Sequence, residues 1–216
     1  MIEKPTIVPL PNGPYLITGA RTLKGLLDGK VYEIEGKAAL CRCGGSGNKP
    51  FCDGTHKTNG FSDAKSPDRV PDKRDNYAGS EVTIHDNRGI CAHSARCTSN
   101  LRSVFKLGEE PWVDADGDEA VKIVETIRGC PSGALSYSID GVEHRDRDGE
   151  PEILIAPNGP YAIRGGATVE GVEWGEGASQ EHFDLCRCGQ SQNKPFCSGA
   201  HWYHHFDEHA PPPDAG

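Results

Sequence analysis

Short apolar runs broken by turn residues recur along this chain. Residues 6–10 (TIVPL) meet Pro11-Asn12-Gly13-Pro14, and a second run follows at residues 15–18 (YLIT). The arrangement returns far downstream: residues 153–156 (ILIA), then Pro157-Asn158-Gly159-Pro160, then residues 161–164 (YAIR). Runs of this length bounded by Pro, Asn and Gly predict β-strands joined by tight turns. A third run, residues 31–40, leads straight into Cys41. Between these regions the period changes. Val121, Val124 and Ile127 predict an amphipathic helix over residues 118–128, with strands expected at residues 81–84 and 135–139.

The two ends are alike in residues as well as in pattern. Pro11-Asn12-Gly13-Pro14-Tyr15 recurs as Pro157-Asn158-Gly159-Pro160-Tyr161. Cys41-Arg42-Cys43-Gly44 recurs as Cys186-Arg187-Cys188-Gly189, and Asn48-Lys49-Pro50-Phe51-Cys52 as Asn193-Lys194-Pro195-Phe196-Cys197. Such self-similarity means two homologous modules, at residues 1–66 and 151–208. Charged segments at 67–75 and 142–150 read as linkers, 76–141 as a separate unit, and the proline-rich tail 209–216 as lacking fixed structure.

Composition changes the picture in one respect. Hydrophobic residues are 35% of the 216, against 27 Gly and 16 Pro, so the chain is turn-rich and poor in core. Small domains of this kind need a covalent or metal staple. The nine cysteines are an odd number and cannot all pair as disulfides within one chain. No basic segment precedes an apolar run at the N-terminus, and no stretch is long enough to span a bilayer. The expectation is a cytoplasmic protein whose cysteines act as ligands, with no membrane association. The net charge of −9, with no basic stripe, argues against a nucleic-acid partner.

The repeated cysteines have ligand spacing. Cys41 and Cys43, two apart on an extended segment, point the same way and can reach one ion. Cys52 and His56, four apart, share a face on a helical turn and can reach a second. Cys186, Cys188, Cys197 and His201 repeat the pattern. A Cys₃His set also suits zinc, although zinc sites usually open with two to four residues between the first cysteines, so spacing alone leaves zinc and iron–sulfur both open. Gly44 to Lys49 lacks the full phosphate-loop pattern and lies inside the metal motif. His182, His204, His205 and His209 read as solvated surface histidines. Trp202 and Tyr203 follow His201 directly and are expected to shield that site.

Residues 41–56, CRCGGSGNKPFCDGTH, resemble the CDGSH iron–sulfur motif at Ser46, Pro50, Asp53, Gly54 and Thr55 as well as at the four ligand positions. Residues 186–201 match too, with Ser198 where the first copy has Asp53. The resemblance implies two 2Fe–2S clusters, each held by three cysteines and one histidine, with the Cys-x-Cys pair on an inner iron and the Cys–His pair on an outer one. It also implies that the tandem modules pair within one chain, a monomer with an internal pseudo-dimer. Asp53 puts a carboxylate beside the first cluster and Ser198 does not, so the two clusters should differ in potential.

The middle unit holds Cys91, Cys97 and Cys130, the last in Cys130-Pro131-Ser132-Gly133-Ala134-Leu135. Bacterial ferredoxins space their ligands C-x₂-C-x₂-C…C-P; here Ser94 takes the second place. The stretch resembles the divergent single-cluster ferredoxins, which implies a ferredoxin-like unit. Three thiolates suit a 3Fe–4S cluster. Ser94, His93 or water can complete a 4Fe–4S cluster, and the alternative is a fold that has lost its cluster.

The expected fold is therefore mainly β with an α+β insert: two CDGSH-type modules paired as a pseudo-two-fold β-sandwich, plus a ferredoxin-like central domain. The expected function is one-electron transfer or redox sensing with redox partner proteins. Cluster storage and delivery to apo-protein acceptors is the near alternative, and a structural zinc scaffold the alternative of another class. No enzymatic constellation stands out.

Overall fold

The computed structural model describes residues 4–212. Among these residues it is mainly β, with thirteen strands in three sheets and three short α-helices.

The repeated turn segments form hairpins. In the first module, β1 (Thr6–Pro9) pairs antiparallel with β2 (Tyr15–Thr18). The expected run 31–40 is broken at Gly36, whose φ of 74° favours glycine. The module continues as β3 (Thr22–Gly25), β4 (Val31–Glu33) and β5 (Lys37–Leu40).

The central unit begins inside the segment expected to be a linker. β6 (Arg74–Ala78) pairs with β7 (Thr83–Asn87); its RDNYA sequence has no alternation to reveal it. Two helices follow, α1 (Arg96–Asn100) and α2 (Ala120–Arg128). α2 buries Ile123 and Ile127, whereas Val121, expected on the apolar face, is 66% exposed. The i, i+4 pair sets the stripe, and Val121 lies off it. β8 (Leu135–Ile139) then turns at Asp140-Gly141, φ 50° and 77°, into β9 (Val142–His144). Asp-Gly with both residues left-handed is a hairpin signal, so the second expected linker begins as a strand.

The second module is built from β10 (Glu152–Ile155), β11 (Tyr161–Arg164), β12 (Thr168–Val169), β13 (Phe183–Leu185) and α3 (Ala200–Tyr203). The modules exchange strands. β12 pairs parallel with β1 of the first module, and β3 pairs parallel with β10 of the second. One sheet runs β12-β1-β2-β5 and the other β13-β11-β10-β3-β4. Neither module closes its sheet without the other. Ile7, Tyr15, Ile17, Leu23 and Leu40 accordingly share one core with Ile153, Tyr161, Ile163, Phe183 and Leu185. The central unit has a core of its own around Ile84, Phe105, Ile123 and Leu135.

Two expectations change at the C-terminal end. His182 is buried; its ring meets Ser179 Oγ and Glu181 Oε2, each at 3.0 Å, and burial lowers its pKa to about 4. Of the tail, Ala210 accepts a hydrogen bond from Lys49 Nζ (3.1 Å), and residues 213–216 lie outside the described residues. No helix among the described residues is long and apolar enough to cross a membrane.

Candidate metal centres

Each repeated motif is a loop closed at its neck by backbone pairing. Leu40 bridges Phe51, Cys41 N–H donates to Pro50 O, and Cys52 N–H donates to Ala39 O. Inside the loop the Ser46 hydroxyl donates to Phe51 O at 2.7 Å and accepts from Asn48 N–H at 3.0 Å. The second copy repeats this with Leu185–Phe196, Cys186 N–H to Pro195 O, Cys197 N–H to Asp184 O, and Ser191 in the place of Ser46. The serine common to both copies is thus the internal strut of the loop.

The side chains stand in pairs. Cys41 Sγ and Cys43 Sγ are 3.9 Å apart, Cys186 Sγ and Cys188 Sγ 3.8 Å. Cys52 Sγ lies 3.4 Å from His56 Nδ1, as Cys197 Sγ does from His201 Nδ1. Tetrahedral coordination with metal–sulfur bonds of about 2.3 Å and metal–nitrogen bonds of about 2.0 Å puts two sulfurs about 3.8 Å apart and a sulfur–nitrogen pair about 3.5 Å apart. Each pair therefore fits one edge of an ion's shell. No three His, Cys, Asp or Glu side chains among the described residues gather around a single point.

The helical argument for the Cys–His pair does not hold in the structure. Cys52 precedes the helical turn at Thr55–Lys57, and Gly54, at φ 96°, makes the intervening turn; Gly199, at φ 76°, does so before α3. The pairing comes from a left-handed glycine, not from one helix face.

The electrostatics favour a cation. In each Cys-x-Cys pair one thiol is drawn down to about 6 by the hydrogen bond from its neighbour, Cys43 by Cys41 and Cys186 by Cys188, and the other is pushed up. Two sulfurs sharing one proton are a ready metal edge. Backbone N–H groups of Gly45, Gln190 and Gly199 point at Cys43, Cys188 and Cys197 Sγ at 3.4–3.5 Å. Burial, then the charges of Arg187 and His93, lower His201 to about 4, so its imidazole is neutral and free to ligate at neutral pH.

The copies differ around these pairs. Cys197 and His201 are buried, at 2% and 6% exposed, whereas Cys52 and His56 are only half-buried. The central unit makes the difference. A Cβ on Gly199 would lie 2.8 Å from His93 Cβ, so His93 sits directly over the second motif, and Asn193 Nδ2 donates to Gly89 O at 2.9 Å. Trp202 and Tyr203 are 59% and 78% exposed, and the Trp202 ring lies 5.1 Å from that of His201. At Asp53, burial works to raise the carboxyl, but hydrogen bonds from the Thr55 hydroxyl and from Thr55 and Gly47 N–H outweigh it and hold the pKa at about 2. Ser198 keeps only one such bond, from Gln192 N–H at 3.1 Å. Challenged with an iron chelator, the loaded protein should therefore lose iron in two phases. Cys52→Ser should remove the fast phase; a fast phase removed instead by Cys197→Ser would contradict this.

In the central unit, Cys91, Cys97 and Cys130 line one cavity of about 200 Å³ together with Asp86, Arg88, His93, Ser94, Trp112 and Tyr203. Burial raises Cys91 to about 12 and pushes Cys97 up as well, and the charge of Cys130 adds to both. All nine cysteines are free thiols.

Comparison with known proteins agrees with this arrangement. A family model described as iron-binding zinc finger, CDGSH type, matches residues 12–57 and 158–202. A second, described as divergent 4Fe-4S mono-cluster, matches residues 77–140. The chain belongs to the CDGSH-type iron-binding proteins, with a divergent 4Fe-4S mono-cluster domain between its two motifs. It is 36% identical over 61 residues to the uncharacterized protein YjdI of Escherichia coli K12, a match spanning 28% of this chain and 80% of that protein; YjdI of E. coli O157:H7 matches equally. No solved structure matches.

Residues outside the ligand sets matter to this CDGSH protein as well. The Tyr15 hydroxyl meets Cys186 O (2.9 Å) and Pro195 O (2.8 Å), and that of Tyr161 meets Cys41 O (3.0 Å) and Pro50 O (2.9 Å). Each tyrosine thus holds the opposite motif's loop. Arg187, 1% exposed, donates to Gly159 O and Ala156 O and pairs with Glu208 at 2.8 Å, tying its motif to the PNGP turn; Arg42 does the same more weakly through Leu10 O. All four residues lie in the repeated segments, which is the signal that marks them. Asp86 carries no such signal.

Proposed function

We propose that this is an electron-transfer protein with two 2Fe–2S clusters, one on Cys41, Cys43, Cys52 and His56, the other on Cys186, Cys188, Cys197 and His201. A third iron–sulfur cluster sits on Cys91, Cys97 and Cys130. The observation that carries the reading is the pairing of donors. A mononuclear zinc site needs four donors around one ion; two separate pairs suit two bridged irons. Such a cluster supplies one reversible electron, and a neutral histidine in place of a thiolate raises its potential above that of an all-cysteine cluster. The protein's own part is to fix the pairs on strand-anchored loops, to direct N–H groups at the sulfurs and to exclude water from the second site.

The finer architecture belongs to the same reading: the two modules form a pseudo-two-fold β-sandwich through their exchanged strands, and the central unit is ferredoxin-like. The chain acts as a monomer in a reducing compartment, passes electrons to partner proteins and catalyses no reaction of its own. The half-open Cys52–His56 pair favours one second reading, delivery of the first cluster to an acceptor.

Iron and sulfide quantitation with EPR tests the proposal. About four irons per chain means that the central unit is empty, and about seven or eight that it is loaded. Zinc with no sulfide and no visible colour would end the iron–sulfur reading. Mixing with an apo-ferredoxin separates the other two: electron exchange with iron retained supports electron transfer, and movement of iron to the acceptor supports delivery.

A further inference from the structure

The central unit brings three thiols to its cavity, one fewer than the irons of a 4Fe–4S cluster require. The sequence offered His93 and Ser94 for the fourth place. Both line the cavity, but neither is placed for the task. Ser94 is exposed. His93 is packed against the second motif, where a Cβ on Gly199 would stand 2.8–3.1 Å from its Cβ, Cδ2 and Cγ.

Asp86 is placed differently. It stands on β7, between the neighbouring strands β6 and β8, and is 2% exposed. It lines the same cavity as the three cysteines. Its Oδ2 is buried with no hydrogen-bond partner among the described residues. Arg88, on the wall of the same cavity, lies over the Trp112 ring at 4.6 Å, and no ion pair joins it to Asp86 among the described residues. A buried carboxylate oxygen without a partner carries a large desolvation cost that a metal ion offsets. Carboxylate oxygen is also a competent iron ligand.

We infer that Asp86 supplies the fourth ligand of the central cluster, completing a 4Fe–4S site with Cys91, Cys97 and Cys130. This rests on the reading of a loaded central unit. Four side chains on four different irons have no common point, which agrees with the lack of any three-donor convergence among the described residues. An oxygen ligand is a weaker donor than a thiolate, so one iron of this cluster is the labile one.

The test uses the full chain loaded with iron and sulfide. Wild type should bind about eight irons, four of them in the central unit. Asp86→Ala, and Asp86→Asn as the variant that preserves packing, should lose about one iron per chain and show the EPR signal of an oxidised 3Fe–4S cluster. Asp86→Cys should restore the fourth iron and shift the reduced-state EPR spectrum and the midpoint potential downward. Ser94→Ala should leave iron content and EPR unchanged. The inference is overturned if the Asp86 variants keep wild-type iron and spectrum, if iron is lost with Ser94 instead, or if wild type itself holds about seven irons. A wild type with about four irons overturns the loaded central unit itself.

Discussion

Gly44→Ala should separate the two motifs and strip iron from both. Cys43 and Cys188 face each other in an antiparallel bridge, and the glycine after each lies against the opposite strand. A Cβ on Gly44 would stand 2.5 Å from Cys188 O and 2.8 Å from Cys188 C; one on Gly189 would stand 2.5 Å from Cys43 O. The obstruction is backbone, which cannot swing aside. Both positions also have positive φ, 76° and 78°. A left-handed alanine costs about 1–2 kcal/mol and overpacking about 1–3 kcal/mol more. Against a whole-domain stability of about 5–15 kcal/mol, the combined effect should lower the melting temperature by roughly 5–15 °C. Gly36→Ala is the control, since Gly36 has φ 74° but nothing within 4 Å of a Cβ. Equal melting temperatures for the two variants would show that the close approach is unimportant.

Tyr15→Ala should cost about 3–5 kcal/mol, because Tyr15 is fully buried and stacks edge-on against Tyr161 at 6.1 Å. The gentler Tyr15→Phe, about 1 kcal/mol, is the more telling. Its hydroxyl serves Cys186 O and Pro195 O, so a change in the first module should loosen iron at the second site. Tyr161→Phe should loosen the first. Chelator release from the two variants measures this, and a variant that weakened the site of its own module would break the argument.

The two motifs were legible because their chemistry is local. C-x-C places two thiols together on any extended segment, and the repeat marks both copies. The apolar run before Cys41 was legible too, as was β8, whereas the strand before Cys186 was not. What failed was sequence without alternation: β6 opens on Arg74-Asp75, inside the charged segment that reads as linker, and pairs only with β7. The helical account of Cys52 and His56 failed because a left-handed glycine, not helix periodicity, turns the chain between them.

The sequence by itself determined the candidate ligand residues, their division into two like sets and a third group of cysteines, and the Asp53–Ser198 difference, since all of these are properties of single residues and short spacings. Only the tertiary structure decided that the modules exchange strands, that each tyrosine supports the other module's loop, and that the central unit closes the second site while leaving the first half open. It also set Asp86 among the central cysteines. These features depend on contacts between residues as far as 180 positions apart. Such contacts arise because neither module can bury its apolar face alone. The physical cause is shared burial, which no local pattern encodes.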